Sequence, residues 1–232
     1  MQSPCFHTRV HGARVHLQPF IPPFVQRYHA WMSDPWLRAQ TSSERLTLSE
    51  EYAMQASWVS DPRKATFIAF ETSAAAAPPS PGVLLDDSVG MVGDVNLFLL
   101  GGDEEEEYRA LAAAWRGRGA GPGGCAPSPP PAVAEIMVMI GEPSARRRGL
   151  AEEAVRLMME WGRRHLHAGI FVAKISEGNV ESLALFTKKL GFVEVKRVAA
   201  FEEVHLVSME LGAPAEYREE EVRHEYGSRA GD

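Results

Sequence analysis

The chain has 232 residues, 45% hydrophobic and 24% charged, with a formal net charge of -7. That length suits one domain with decorations and enough apolar mass for a core, and the acidic balance argues against nucleic acid, whose footprint is basic. Two cysteines, no CxxC, no HExxH and no apolar run near the roughly 20 residues of a bilayer span argue against a disulfide framework, a metal motif and a membrane helix.

The opening MQSPCFHTRVHGARVHLQPF carries no apolar h-region, so no secretory signal is expected and the expected location is cytoplasmic or nucleocytoplasmic. Residues 13–20 read as a strand, with Val15 and Leu17 on one face and Arg14, His16 and Gln18 on the other. After Pro22 and Pro23, residues 24–32 read as a helix with Phe24, Tyr28, Trp31 and Met32 on one side. Thr47 and Glu50 form a capping box before a helix whose Leu48, Tyr52, Gln55 or Ala56, and Val59 recur at helical spacing. Residues 66–70 are a strand. The Ala/Pro/Ser-biased 72–89 reads as a disordered insertion.

Residues 91–100 form an apolar strand interrupted by Asp94 and Asn96. Residues 101–131 read as a second disordered insertion, with a solvated acidic run at 104–107 leading into a helical turn or two, and a Gly/Pro-rich remainder. A buried-type strand at 134–140 leads into a strong helix at 150–166, marked by Leu150, Ala154, Leu157, Met158, Trp161 and His165. A strand at 170–175, a helix at 180–190 and strands at 192–195 and 201–211 close the pattern. Trp31, Trp58 and Trp161 are expected in the core. The domain spans 13–211, with flexible tails at 1–12 and 213–232. The order implies an α/β (α+β) fold of three layers, a central mixed sheet with helices on both faces.

The strand–turn–helix at 134–166 has the layout of an anion site. A helix start leaves about four N–H groups without intrahelical partners, and the dipole adds roughly half a positive charge. Gly149 permits a backbone approach that a Cβ would obstruct, and Arg146, Arg147 and Arg148 add charge at the same point. Neither GxGxxG nor GxxxxGK[ST] is present. A solvated loop or a nuclear address is the alternative reading of the arginine run.

Arg146-Arg147-Arg148-Gly149-Leu150-Ala151 resembles the Arg/Gln-x-x-Gly-x-Gly/Ala signature of the GCN5-related N-acetyltransferases (GNAT). The stretch from Glu177 through Asn179, Ser182 and Phe186 to Lys188-Lys189-Leu190-Gly191-Phe192 resembles the Asn-x-x-Ser…Phe-x-x-Leu-Gly-Phe segment of the RimJ/RimL-like branch. RYHAWM, LTLSEEYAMQASW, MVGDVNLFL, EIMVMIGEPSARRRGL and AKISEGNVES resemble the N-acetyltransferase 9-like group, over most of the chain.

The resemblance implies a GNAT fold with a mostly antiparallel sheet of about seven strands. It implies acetyl-coenzyme A (acetyl-CoA) as co-substrate and no metal. The acceptor it implies is a protein amine, an N-terminal α-amine, with α/β-tubulin as the partner. The loop amides of Arg146 to Ala151 would hold the pyrophosphate. Met137, Val138, Met139 and Ile140 would pair with the pantetheine arm, and an N–H near Met139 would polarise the thioester carbonyl. Asn179, Ser182 and Phe186 fall at coenzyme-contact positions.

Glu135, a carboxylate in an apolar strand, is the first candidate base; it reads equally as the partner of a lysine. Asp94 is the second, with Asn96 as a substrate contact; the two also read as a structural polar pair. Asn179 reads as an N-cap as well as a contact. No tyrosine follows Asn179 where many acetyltransferases carry a general acid; Phe186 stands there. The other readings are acetylation of a small amine, and a non-catalytic scaffold that binds microtubules or coenzyme.

Overall fold

The computed structural model describes residues 3–72, 88–116, 129–208 and 214–223. In chain order the first elements are β1 (Thr8–His11), β2 (Val15–Pro19), α1 (Pro22–Met32), α2 (Pro35–Gln40), α3 (Leu48–Ser60), β3 (Lys64–Glu71) and β4 (Met91–Leu99). Then come α4 (Gly102–Arg116), β5 (Ala132–Ile140), α5 (Leu150–Leu166), β6 (Ala168–Ser176), α6 (Val180–Ala184), β7 (Val193–Val198), β8 (Glu203–Ser208) and β9 (Arg218–Glu221). The strands are ordered β7-β8-β6-β5-β4-β3-β2-β1-β9. The fold is mixed α/β with a mostly antiparallel sheet, as the sequence implied, but with nine strands rather than about seven.

The two additional strands come from the expected tails. β1 pairs antiparallel with β2, and β9 pairs antiparallel with β1, Thr8 opposite Glu221. Cys5, Phe6 and Val222 are buried. Fully buried Arg9 donates to Gln18 Oε1 at 3.1 Å and reaches Glu220 at 3.6 Å, which fixes the pairing of β1 and β9.

The chain divides into two compact units, residues 1–96 with 138–157 and 214–232, and residues 97–137 with 158–213. In the first, β1, β2 and β3 are antiparallel neighbours. Pro22 occupies the first turn of α1, where a missing N–H costs nothing. The Asp34 side chain accepts from Trp36 N at 2.8 Å and starts α2. The capping box of α3 is present: Glu50 N donates to Thr47 Oγ1 at 3.3 Å, and Thr47 N to Glu50 Oε2 at 2.7 Å. The inward face of α3 is the expected one at Gln55 and Val59 but differs at its start. Leu48 and Tyr52 are 38% and 41% exposed, while Glu51 and Gln55 are buried. Gln55 Nε2 donates to Phe20 O at 2.6 Å, so a polar side chain enters the core with its bond made. Phe20, Phe24, Tyr28, Trp31, Ile68 and Phe70 form that core, with Met54 and Trp58 packed against it.

In the second unit β5 is parallel to β6, and β6, β8 and β7 are antiparallel neighbours. The parallel ladder ends at Glu135 opposite Val172, although β5 continues to Ile140 and β6 to Ser176. The expected disordered insertion at 101–131 carries a 15-residue helix, α4. Asp103, Glu104 and Glu105 lie in its first turn, where the helix dipole favours them. Tyr108 and Ala112, four apart, are buried with Val133, Ile170, Val172 and Val207. Residues 73–87 and 117–128, the greater part of the biased segments, lie outside the described residues. The α5 helix has the expected bounds, with Leu150, Ala154, Leu157, Met158 and Trp161 buried and His165 exposed.

Candidate active site

Between β5 and α5 the backbone turns through one 3-10 turn at Pro143–Ala145 and then through Arg147 at φ 60° and Gly149 at φ 78°. The first α5 bond runs from Glu153 N to Gly149 O at 3.3 Å. The N–H groups of Gly149, Leu150, Ala151 and Glu152 therefore precede the helical ladder. Leu150 is buried and anchors this turn.

The arginine side chains serve the frame. Arg146 Nε donates to Ile140 O at 3.0 Å and Nη2 to Gly141 O at 3.3 Å, with the guanidinium 4.7 Å from the Trp36 ring centroid. Arg148 forms a bidentate pair with Glu71. Arg14, at the start of β2, donates to Arg148 O at 3.0 Å and Gly149 O at 3.2 Å, and pairs with Glu153 at 2.9 Å. Carbonyls are tied back by guanidinium groups, while the amides at the helix start have no intrahelical partners.

The same unit holds Asp94 and Asn96, both buried, on one face of β4. Asn96 Nδ2 donates to Asp94 Oδ2 at 2.7 Å. Burial pushes the Asp94 carboxyl up to about 7, against the lowering effect of the Asn96 amide. At Gly93 β4 packs tightly on β5: a Cβ there would lie 1.9 Å from Met139 O. Tyr28 of α1 is buried, and its hydroxyl is raised by burial and then by the charges of Asp94 and Glu51. Glu51, also raised by burial, lies 3.7 Å from His29.

In the second unit Glu135 takes the lysine-paired arrangement: Lys174 Nζ is 2.7 Å away and also pairs with Glu104 at 2.6 Å. Those carboxylates raise the lysine. Beside them Tyr108 Oη and His205 Nδ1 share a 2.7 Å hydrogen bond, and Glu203 lies 3.2 Å from His205 Nε2. Asn179 caps α6, with Oδ1 accepting from Ser182 N at 3.1 Å. Phe186 lies in a π-helical turn after α6 and is buried edge-on against Phe192 at 4.9 Å.

The Acetyltransferase (GNAT) domain family matches residues 14–193. The chain belongs to the GNAT acetyltransferase family. It is 37% identical over 195 residues to an N-acetyltransferase 9-like protein of Caenorhabditis briggsae, covering 84% of this chain and 81% of that protein. It is 39% and 38% identical to alpha/beta-tubulin-N-acetyltransferase 9 of Mus musculus and Homo sapiens, over 86% of this chain and 70% and 82% of theirs. Among solved structures, spermidine N-acetyltransferase from Vibrio cholerae in complex with CoA and spermine superposes with a TM-score of 0.60 at 12% identity, covering 84% of this chain and 95% of that one. The chain is an N-acetyltransferase.

For this GNAT enzyme the structure assembles the loop, Met139, Ile140, Asp94 and Asn96 within the first unit, and places Glu135, Met137, Asn179 and Ser182 in the second. Arg14, Tyr28, Trp36 and the Glu51–His29 pair did not emerge from the sequence. Each is an ordinary member of an amphipathic strand or helix there, and its role arises only from what the fold sets beside it.

Proposed function

We propose that this GNAT enzyme transfers the acetyl group of acetyl-CoA to an amine of a protein acceptor, the N-terminal α-amine of tubulin. The acceptor rests on the two mammalian relatives, each named for α/β-tubulin N-acetylation, at 38–39% identity over most of the chain. The coenzyme rests on the geometry of the 146–151 turn. Its arginines tie back carbonyls and a carboxylate, its amides precede the helical ladder, and Gly149 adds no side chain. These features fit a pyrophosphate. Acetyl-CoA supplies the activated acetyl thioester.

The residues of the chain then have three tasks. The amides of Gly149 to Glu152 hold the phosphate oxygens. The backbone of Val138, Met139 and Ile140 at the end of β5 orients the pantetheine arm, and an N–H near Met139 donates to the acetyl carbonyl. Asn179 and Ser182 are the remaining coenzyme contacts by resemblance. A protein α-amine has a pKa near 8, so a carboxylate of modest basicity suffices to deprotonate it.

Isothermal titration calorimetry should show acetyl-CoA binding to the wild-type protein and none to Gly149→Glu. Binding that survives the substitution rejects the pyrophosphate assignment. Mass spectrometry of tubulin incubated with enzyme and acetyl-CoA should find acetyl on the N-terminal amines. Acetyl on small amines alone would move the acceptor to that class; tubulin bound but never acetylated would favour a scaffold.

A further inference from the structure

Resting on that reaction, we infer that Asp94 accepts the proton of the incoming amine and that Asn96 holds both the carboxylate and the amine. Asp94 is 3% exposed. Its Oδ2 takes the Asn96 amide, while Oδ1 has no hydrogen-bond partner. Asn96 Oδ1 has none either. Two buried acceptor oxygens without donors, two residues apart on one face of a strand, are costly to desolvate. A primary ammonium carries three N–H donors and satisfies both at once. No lysine or arginine pairs with Asp94 among the described residues, so nothing fixes its charge.

The position suits the chemistry. Asp94 follows Gly93, where β4 meets Met139 O, beside the strand end assigned to the thioester. The titratable and polar groups in its surroundings are the Asn96 amide on its own strand and Tyr28 of α1, whose hydroxyl feels the charges of Asp94 and of Glu51, the latter 3.7 Å from His29. Tyr28 stays protonated, since burial and both carboxylates raise it. A carboxyl raised to about 7 is half ionised near neutral pH and close to its target amine.

The step balances. One ammonium proton passes to Asp94, the freed nitrogen forms the N–C bond as the C–S bond breaks, and the second N–H proton goes to the departing thiolate. Asp94 then releases its proton to water. The other strand carboxylate, Glu135, is the competing base, and Lys174 occupies it.

The test is kcat/KM against pH, followed by thiol release, with a peptide bearing the tubulin N-terminus and a panel of other α-amine peptides and polyamines. Any amine that is turned over serves, so a wrong acceptor leaves this test standing. The wild-type profile should rise with pH through an acidic limb with an apparent pKa near 7, as Asp94 loses its proton. Asp94→Asn, nearly isosteric, should lower kcat about a hundredfold and remove the limb, with acetyl-CoA affinity retained and a Tm no lower than that of the wild type. Asp94→Glu should recover part of the rate. Asn96→Leu should shift the limb to higher pH, because the amide that favours the charged carboxylate is gone; a merely structural residue would not move it. A limb that persists in Asp94→Asn with kcat within tenfold of wild type overturns the inference. So does its disappearance in Glu135→Gln, or an absence of turnover with every amine.

Discussion

Asp94 and Glu135 are both carboxylates set into apolar strands, one on β4 and one on β5, and the structure treats them in opposite ways. Glu135 has a lysine at 2.7 Å, and the same lysine takes a second carboxylate from α4. Its charge is balanced locally and its oxygen occupied. Asp94 is buried deeper with one neutral amide for company, and its carboxyl rises to about 7. An ion pair occupies a carboxylate oxygen and balances its charge. Burial beside a neutral donor leaves the state free to change near pH 7. The sequence pattern, a lone acid among Val, Ile, Met and Leu, is the same in both, so strand position alone does not rank them; the presence of a cation does.

The largest expected effect breaks the strand contact that positions Asp94. Gly93→Ala would drive a Cβ to 1.9 Å from a backbone oxygen of β5, and no flexible side chain can yield there. The substitution should cost 3 kcal/mol or more, on the order of a severe overpacking defect. Urea unfolding would read it. A near-wild-type midpoint would show that β4 and β5 separate at low cost at this point.

A second measurement sharpens the contrast through pH. The folded-state pKa of Asp94, about 7, lies above the 3.8 of an unperturbed aspartate. Ionisation is thus disfavoured in the folded state, and the residue's contribution turns increasingly unfavourable as pH rises from about 4 to 7, then stays constant. Asp94→Asn should raise Tm at pH 8 and give no advantage at pH 4. Glu135→Gln should instead lower stability by about 1 kcal/mol at pH 7, less in high salt, because Lys174 loses a partner. Thermal scans of both variants at pH 4, 6 and 8 separate the cases. Parallel pH curves would remove the distinction.

What the sequence disclosed follows the range of each interaction. The α3 capping box and the bounds of α5 depend on residues a turn apart and were legible. The GNAT fold and the loop were legible through resemblance in contiguous motifs. α4 was hidden because its acidic run and alanines share a biased segment with the glycines and prolines that follow. Its Tyr108–Ala112 stripe has meaning only against the sheet. The β1–β9 pairing joins the two ends of the chain, and no local pattern marks it. Arg14 lies 139 residues from Glu153, so no local pattern marks that pair. The inward face of α3 was read correctly at Gln55 and Val59 but not at its start, where apolar spacing pointed to Leu48 and Tyr52 and the buried position went to Glu51, which lies beside His29.

The smallest effects concern the turn itself, where two left-handed residues stand two apart and only one is a glycine. Gly149 at φ 78° pays no steric cost, and a Cβ there would come 3.1 Å from the Arg14 guanidinium. Gly149→Ala should cost about 1 kcal/mol. Arg147 at φ 60° already bears that strain, so Arg147→Gly should gain roughly 0.5 kcal/mol, the relief of the left-handed backbone offset by the chain entropy of glycine and the loss of a side chain. Chemical denaturation resolves the pair, and titration with acetyl-CoA gives the second reading. If the anion is held by amides, affinity should fall more in Gly149→Ala than in Arg147→Gly. The opposite order would return the site to the arginine charges, and with it the first impression given by three consecutive guanidinium groups.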